Sequence, residues 1–160
     1  MSKINDFLYL GDYGDLSKCQ TLNVDTIVTI LHFKPTIPPE FNHVYFNAED
    51  DDDFEINKYF DEFIKIVETN EHDSKITFVH CYSGVSRSAT LILAYLINKN
   101  ASKNLSKRCT VKSVLASLRK KRPCVDPNNG FLSQLETYSD TKIKEIALKK
   151  SLLKSTNQNK

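Results

Sequence analysis

One stretch near the middle of the chain constrains the fold more than any other. Residues 76–79 are apolar and typical of a short strand, and residues 80–88 form a loop of mostly small side chains. Residues 89–97 are apolar almost all round, which predicts a helix buried in the centre of a domain. A strand that passes through a tight loop into a buried helix is typical of α/β proteins, whose binding sites lie at the carboxyl ends of the strands.

The rest of the chain repeats this alternation of strands and helices. Residues 25–31 form an apolar, β-branched run typical of a strand covered on both faces, and residues 56–67 place apolar side chains at helical spacing. The other predicted elements are strands at residues 7–10 and 44–46 and helices at residues 111–118 and from residue 131. We therefore predict an α/β fold with a central, mainly parallel twisted sheet of about five strands flanked by helices. Residues 1–150 are predicted to form a single domain, and residues 151–160 a polar tail that is frayed or disordered.

The composition sets limits on location and partners. Hydrophobic residues make up 40% and charged residues 26% of the chain, as in an ordinary soluble globular protein. The net charge of +2 is too small to indicate nucleic acid or a membrane as a partner. The sequence has neither an apolar run of membrane-spanning length nor an apolar N-terminal signal region. The expected location is the cytoplasm, with the nucleus also open.

The loop after the strand at residues 76–79 has the chemistry of a phosphate site. Backbone N–H groups at the start of a helix favour an anion, and Gly84 allows the loop to curl so that successive amides point inward. Five residues separate Cys81 from Arg87, so the guanidinium can close over a phosphate with two parallel hydrogen bonds. The same environment favours the thiolate form of Cys81, which is a nucleophile aimed at phosphorus. The alternative interpretation of Cys81 is a small buried side chain at a strand end.

A known family has a loop of this kind. The signature loop of the protein tyrosine phosphatase superfamily resembles the string His80-Cys81-Tyr82-Ser83-Gly84-Val85-Ser86-Arg87-Ser88. The ending Ser86-Arg87-Ser88 and the following Ala94-Tyr95-Leu96 resemble the dual-specificity branch, and the chain has no tryptophan, unlike the acid loop of the tyrosine-specific branch. Further similarities to the family lie in residues 8–11, in residues 59–64, and in residues 122–135. The resemblance indicates a small, atypical dual-specificity phosphatase that consists of the catalytic domain only.

The resemblance implies a role for each residue of the loop. Cys81 is the nucleophile, Arg87 the phosphate clamp, and Ser88 the group that eases departure of the sulfur. The substrate's phosphate is held by Tyr82, Ser83, Gly84, Val85, Ser86 and Arg87. His80 and Asn128 are expected to support the catalytic loops. The implied reaction uses neither a metal nor an organic cofactor, and the implied partners are phosphorylated proteins.

A carboxylic acid on a separate loop must supply a proton to the leaving oxygen. The acidic run of residues 49–53 lies between a predicted strand and a predicted helix. By resemblance to the family the acid falls on Asp50, with Asp51 as the second candidate. Repulsion between adjacent carboxylates favours a protonated form of one of them. For residues 51–53 a solvated loop edge or a helix cap is the favoured interpretation.

Three other features leave alternatives open. Cys19, Cys109 and Cys124 are expected to be free thiols that pack or act as redox partners of Cys81. Residues 119–122 form a basic run that is either a nuclear localisation or nucleic-acid patch or, as we favour, the cationic end of a helix. Residues 98–109 look longer than usual in the family and are predicted to form an enlarged surface loop.

Two alternative functions remain beside the protein phosphatase. The first is an RNA 5′-triphosphatase or phosphoinositide phosphatase with the same chemistry, although residues 82–86 contain none of the lysines that those relatives tend to carry in the loop. The second is a pseudophosphatase that binds phosphorylated partners without turnover. That class tends to lose the cysteine or the arginine, and this chain keeps both.

Overall fold

The computed structural model describes residues 1–103 and 105–158. Within them one sheet contains the strands Ser2–Asn5 (β1), Leu8–Gly11 (β2), Thr26–Leu31 (β3), Asn42–Asn47 (β4) and Thr77–His80 (β5). The strand order is β1-β2-β5-β3-β4, with β1 antiparallel to β2 and the other neighbours parallel. The predicted α/β fold with a mainly parallel sheet is confirmed.

The helices in the described part of the chain are Phe60–His72 (α1), Arg87–Ser102 (α2), Val111–Arg119 (α3) and Asn129–Gln158 (α4). α2 packs against α1, α3 and α4, which explains why its sequence is apolar almost all round. The predicted domain boundary at residue 150 falls inside α4. Residues 159–160 of the predicted tail lie outside the described residues. The division into a domain and a tail stays a prediction.

Strand β5 determines where the loop at Cys81 is placed. It lies between β2 and β3, and all four of its residues are buried. All six residues of β3 are buried as well, as its unbroken apolar and β-branched run predicted. The loop therefore leaves the middle of the sheet at its carboxyl edge and enters α2, so both of its ends are anchored in the core.

Residues 98–109, predicted as an enlarged surface loop, are only partly a loop in the described part of the chain. Residues 98–102 continue α2, and Ser106–Arg108 form a 3-10 turn. The Asn100 side chain donates to the Arg108 carbonyl at 2.7 Å, and the Leu105 amide donates to the Asn100 carbonyl at 3.0 Å. These bonds close the segment on itself and bury Cys109 beneath it. The polar side chains of this segment lie on the exposed surface of the end of α2 and of the 3-10 turn. Residue 104 lies outside the described residues.

Candidate active site

The loop of residues 81–86 joins β5 to α2 and brings the predicted nucleophile and clamp together. Cys81 is 1% exposed and Arg87 6% exposed, whereas the neighbouring Tyr82 is 64% exposed. The thiol therefore lies in the loop's interior, and the tyrosine lies on its rim.

Every carbonyl of this loop accepts a hydrogen bond from a residue outside residues 81–86. The donor and acceptor pairs are His80 Nδ1 to Cys81 O at 3.1 Å, Tyr13 N to Tyr82 O at 3.0 Å, Arg122 Nη2 to Ser83 O at 3.1 Å, Arg122 Nε to Gly84 O at 2.8 Å, Asp126 N to Val85 O at 3.0 Å and Thr90 N to Ser86 O at 2.8 Å. In a trans peptide the C=O and the following N–H point in opposite directions. The amides of Ser83, Val85 and Ser86 therefore turn to the inside of the loop, and within the described residues they donate to nothing. This is the arrangement of an anion-binding nest.

Gly84 makes the curl of the loop possible. Its φ is +66°, in the left-handed region that side chains with a Cβ rarely adopt. A Cβ at this position would also collide with the Gly11 carbonyl and the Arg122 guanidinium. Both the conformation and the space therefore require glycine.

Two donors contact the sulfur of Cys81. The Gly84 amide and the Ser88 hydroxyl each lie 3.2 Å from Sγ. A backbone N–H and a hydroxyl therefore both donate to the sulfur of the predicted nucleophile. The Ser88 hydroxyl lies where the sequence-based prediction needs it, in contact with the sulfur that must depart.

The Arg87 guanidinium lies against the loop with one donor free. Its Nη1 donates to the Ala48 carbonyl at 3.0 Å, which fixes the plane of the group. Its buried Nε donates to no described atom. The Asp50 carboxylate is its ion-pair partner at 3.6 Å, too far for a hydrogen bond, so an anion held in the loop could still accept from this buried Nε. Its position beside the loop amides fits the predicted phosphate clamp.

Asp50 is held directly against this site. Its Oδ1 accepts from the Ser86 hydroxyl at 2.7 Å and from Asn128 Nδ2 at 3.0 Å, and its Oδ2 lies 3.6 Å from Arg87 Nε. The backbone amide of Asn128 in turn donates to the Ser86 hydroxyl oxygen at 3.2 Å. Asn128 therefore ties the acid loop to the phosphate loop, consistent with the supporting role predicted for it.

The neighbouring carboxylates have other contacts. Asp51 Oδ1 accepts from the Asp53 amide at 2.8 Å, and Asp52 Oδ1 accepts from the Gly130 amide at 3.4 Å. The 3-10 turn Ile56–Tyr59 begins after Glu55, which makes no capping bond with its side chain. Residues 51–53 thus contact their own loop and the start of α4. The geometry favours Asp50 over Asp51 as the proton donor.

His80 is a buried, neutral member of a chain of hydrogen bonds. Its Nδ1 donates to the Cys81 carbonyl, so its Nε2 accepts from the Thr29 hydroxyl at 2.8 Å. The Thr29 oxygen also accepts from His43 Nε2 at 3.0 Å. Burial lowers the pKa of His80 to about 4, against the smaller raising effect of the Cys81 carbonyl. A neutral imidazole suits the supporting role predicted for this residue, which holds the loop by its first carbonyl.

Arg122 was missed as a site residue by the sequence analysis. It is 9% exposed and donates to two consecutive loop carbonyls, those of Ser83 and Gly84. The prediction treated it as one of four cations at a helix end, but α3 ends at Arg119 and Arg122 lies beneath the loop. Pro123, which follows it, was the available signal, because it stops the helix and lets the chain turn inward.

A group of exposed aromatic side chains beside Cys81 was also missed. Tyr13, Phe33 and Tyr82 are the aromatic residues that are at least 37% exposed in the described chain, and all three lie together. Tyr13 stacks on Tyr82 with ring centroids 6.4 Å apart and contacts Phe33 at 6.1 Å. They come from three separate segments, so no local pattern could reveal the group.

The remaining cysteines differ from Cys81 in their surroundings. Burial raises the pKa of Cys19 to about 11 and raises the pKa of Cys109, which favours inert thiols at both positions. Cys124 is exposed. A redox partnership between Cys81 and any of the three stays a prediction.

Within residues 1–103 and 105–158, no three His, Cys, Asp or Glu side chains converge as metal ligands would. None of the helices in those ranges has the length and apolar character needed to cross a membrane.

The family model and the sequence relatives that match this chain point to the same family. A family model described as the dual specificity phosphatase catalytic domain matches residues 8–141. Dual specificity protein phosphatase 1 of Arabidopsis thaliana is 32% identical over 139 residues, which cover 84% of this chain and 67% of the relative. MAP kinase phosphatase with leucine-rich repeats protein 1 of Dictyostelium discoideum is 34% identical over 138 residues. That alignment covers 84% of this chain but only 16% of that longer protein.

Solved structures agree with the sequence relatives. The crystal structure of DUSP15 superposes with a TM-score of 0.77 at 25% identity, covering 92% of this chain and 94% of that one. The Yvh1 phosphatase domain from Chaetomium thermophilum has the same fold, with a TM-score of 0.75 at 24% identity over 88% and 94% of the two chains. The family model spans most of the chain, including both Asp50 and the loop of residues 80–88. The chain therefore belongs to the dual specificity phosphatase family of the protein tyrosine phosphatase superfamily.

Proposed function

We propose that this chain hydrolyses phosphotyrosine and phosphoserine or phosphothreonine in proteins through a phosphocysteine intermediate. One observation carries the proposal. The Cys81 sulfur accepts two hydrogen bonds inside a loop whose carbonyls are all bonded outward, and Asp50 lies 3.6 Å from the arginine of the same loop. Family membership agrees with this cysteine-based chemistry.

In the first step the Cys81 thiolate attacks phosphorus and the bond to the substrate oxygen breaks. The inward amides and the Arg87 guanidinium hold the three other oxygens while charge shifts among them. Asp50 gives its proton to the leaving phenol or alcohol oxygen. The products of the step are the dephosphorylated side chain, a phosphocysteine and an ionised Asp50.

In the second step the Asp50 carboxylate takes a proton from a water molecule, and the water oxygen attacks phosphorus. The sulfur–phosphorus bond breaks and inorganic phosphate is released. The Ser88 hydroxyl, 3.2 Å from the sulfur, donates to the thiolate as it forms. Asp50 recovers its proton and the site returns to its starting state.

The direct test is hydrolysis of a small aryl phosphate by the wild type, by Cys81→Ser and by Cys124→Ser. Cys81→Ser is expected to lose turnover while it still binds inorganic phosphate, measured by calorimetry, because the amides and Arg87 remain. Cys124→Ser, which changes an exposed thiol, is the matched control and should keep its activity and its inhibition by vanadate. Normal turnover by Cys81→Ser would overturn the proposal.

The substrate class needs a separate comparison. Within the described loop Arg87 is the single cation between Cys81 and Ser88, which favours a monophosphate over a triphosphate or a polyphosphorylated lipid head. A panel of phosphopeptides, triphosphorylated RNA and phosphoinositides tests this, and the highest kcat/KM is expected for phosphopeptides. A higher kcat/KM for the RNA or the lipid would reassign the substrate, and binding without turnover would indicate a pseudophosphatase.

The cellular location stays a prediction. A cytoplasmic distribution, with or without the nucleus, is expected for a phosphatase of cellular phosphoproteins. Fluorescence microscopy of the tagged chain tests it.

A further inference from the structure

Charge is distributed very unevenly along this chain. Residues 74–125 contain eleven of its 22 Lys and Arg residues and none of its 20 Asp and Glu residues. The remaining residues therefore combine eleven cations with 20 anions. The molecule is nearly neutral as a whole only because a basic part and an acidic part offset each other.

Many of these cations have no partner in the described structure. Some of the eleven are occupied: Lys99 pairs with Glu71, Arg119 with Asp126, and Arg87 and Arg122 serve the phosphate loop. Five exposed ones form no ion pair or hydrogen bond with their side chains among the described residues, namely Lys103, Lys107, Arg108, Lys112 and Lys120. Unpaired like charges on one part of a surface repel each other, and a bound anion relieves that repulsion.

A groove lies among these cations. It has a volume of about 420 Å³ and runs between the second half of α2, the 3-10 turn at Ser106–Arg108 and α3. Arg108 and Lys120 line it, together with the hydroxyls of Ser113 and Ser117. We call it the α2–α3 groove. The segment that closes one side of it is the stretch predicted as a surface loop, so its ordered fold is what creates the groove.

We propose that the α2–α3 groove binds a short acidic segment of a protein partner. Carboxylates would pair with Arg108 and Lys120 and accept hydrogen bonds from the two serine hydroxyls. The apolar lining residues Leu96 and Val114 give the aliphatic parts of such a segment a surface to cover. The volume accommodates a few side chains.

The charge distribution favours a short peptide over a long polyanion. A nucleic acid or an anionic membrane would extend beyond the groove, and outside residues 74–125 the chain carries 20 anions against eleven cations. A few consecutive Glu or Asp residues would contact only the basic part. The uneven charge would also orient an acidic partner as it approaches.

The groove is separate from the catalytic loop. Asn100, which lines the groove, lies thirteen positions after Arg87 along α2, and this corresponds to roughly 20 Å along a helix. Substitutions in the groove should therefore leave hydrolysis of a small aryl phosphate unchanged. That readout keeps this inference independent of the proposed function, because loss of one does not require loss of the other.

The test is binding of a fluorescent oligoglutamate peptide, measured by polarisation, to the wild type and to the Arg108→Glu/Lys120→Glu variant. The matched control is Lys65→Glu/Lys144→Glu, which changes the net charge equally at two exposed positions on α1 and α4. We expect the groove variant to lose at least about tenfold in affinity and the control to lose little, with wild-type binding weakening as salt is raised. Thermal unfolding and aryl phosphate hydrolysis establish that both variants are folded.

Three outcomes would overturn the inference. The first is equal loss of affinity in both variants, which would indicate a response to net charge alone. The second is unchanged peptide binding in the groove variant. The third is tighter binding of a single-stranded RNA or of phosphatidylserine vesicles through Arg108 and Lys120, which would assign the groove to a different partner.

Discussion

At the residue scale, the contacts of Asp50 decide which carboxylate of the acidic run is the proton donor. The sequence narrowed the proton donor to an acidic run by resemblance, but it could not order the carboxylates in space. In the structure Asp50 contacts Ser86, Arg87 and Asn128, whereas Asp51 accepts from its own loop. Contacts between segments 36 and 78 residues apart distinguish the two, and no local pattern encodes them.

Asp50→Asn should separate proton donation from binding. We expect kcat for phenyl phosphate, a substrate with a poor leaving group, to fall by roughly 10²–10⁴-fold, because the proton is no longer supplied. For an aryl phosphate with a good leaving group the loss should be much smaller.

Asp51→Asn is the matched control for this experiment. It neutralises the adjacent carboxylate without touching the Ser86 and Asn128 contacts, and it should retain most activity. Equal losses for both leaving groups in Asp50→Asn, or a larger loss in Asp51→Asn, would contradict the assignment.

The buried His80 should make the free energy of unfolding depend on pH. Burial lowers its pKa to about 4 in the folded chain, whereas an exposed histidine titrates near 6.5. Between these values the unfolded chain binds a proton that the folded chain does not. The free energy of unfolding should therefore fall as pH decreases through this window, by up to about 1.4 kcal/mol per pH unit from this residue.

Urea unfolding of the wild type and of His80→Asn between about pH 7 and pH 5 measures this contribution. His43 and Asp12, which also influence His80, are present in both proteins, so the difference in slope reports His80 itself. The wild type should lose stability more steeply than the variant. Parallel slopes would show that His80 is not held neutral by the fold.

The phosphate loop behaves as one unit at the element scale. The sequence predicted its position between a strand and a buried helix, because the apolar run at residues 76–79 and the apolar helix are strong local signals. The donors to the carbonyls of residues 82–85 could not be predicted, since they come from residue 13, from residue 122 and from residue 126. A loop of this kind is shaped by elements that pack against it from distant parts of the chain.

Arg122→Met tests whether a side chain from outside the phosphate loop holds the loop in its observed shape. Methionine keeps much of the apolar stem but removes the two hydrogen bonds to the carbonyls of Ser83 and Gly84. We expect the free energy of unfolding to fall by about 2–4 kcal/mol, because two charge-assisted bonds in a buried setting are lost. Vanadate should also inhibit about tenfold less well, because the amides are no longer held inward.

The comparison for Arg122→Met is Arg119→Met on the same segment. Arg119 is 44% exposed in its side chain, pairs with the exposed Asp126 and donates from Nε to the Val125 carbonyl at 2.8 Å, so its loss should cost about 1–2 kcal/mol, less than the loss of Arg122. Vanadate inhibition should be unchanged. An Arg122 variant with normal vanadate affinity would show that the loop keeps its shape without this contact.

The fold follows from patterns that act over the whole molecule. Strands β2 to β5 and all four helices were predicted because their apolar residues recur with clear periods or in unbroken runs. Strand β1 was not predicted, since Ser2–Asn5 is largely polar and becomes a strand by pairing antiparallel with β2 at the sheet edge. The loop predicted at residues 98–109 starts too early, because the polar residues 98–102 are the exposed end of α2 and resemble a loop when read without their partners.

The separation of charge also belongs to this scale. The catalytic loop and the α2–α3 groove lie at opposite ends of the same buried helix, and Arg108 and Lys120 are the cations that line the groove. A single core element thereby supports a chemical site and a surface for recognition. Separate substitutions at each end can measure the two independently.

The most direct test of the central claim is to find the phosphoryl group on the enzyme during turnover. Acid quenching of a reaction with an aryl phosphate, followed by proteolysis and mass spectrometry, locates any covalent adduct. The account predicts one phosphoryl group on the peptide that contains Cys81, and none on that peptide in Cys81→Ser. A phosphoryl group on a different residue, or active enzyme that never carries one on Cys81, would contradict it.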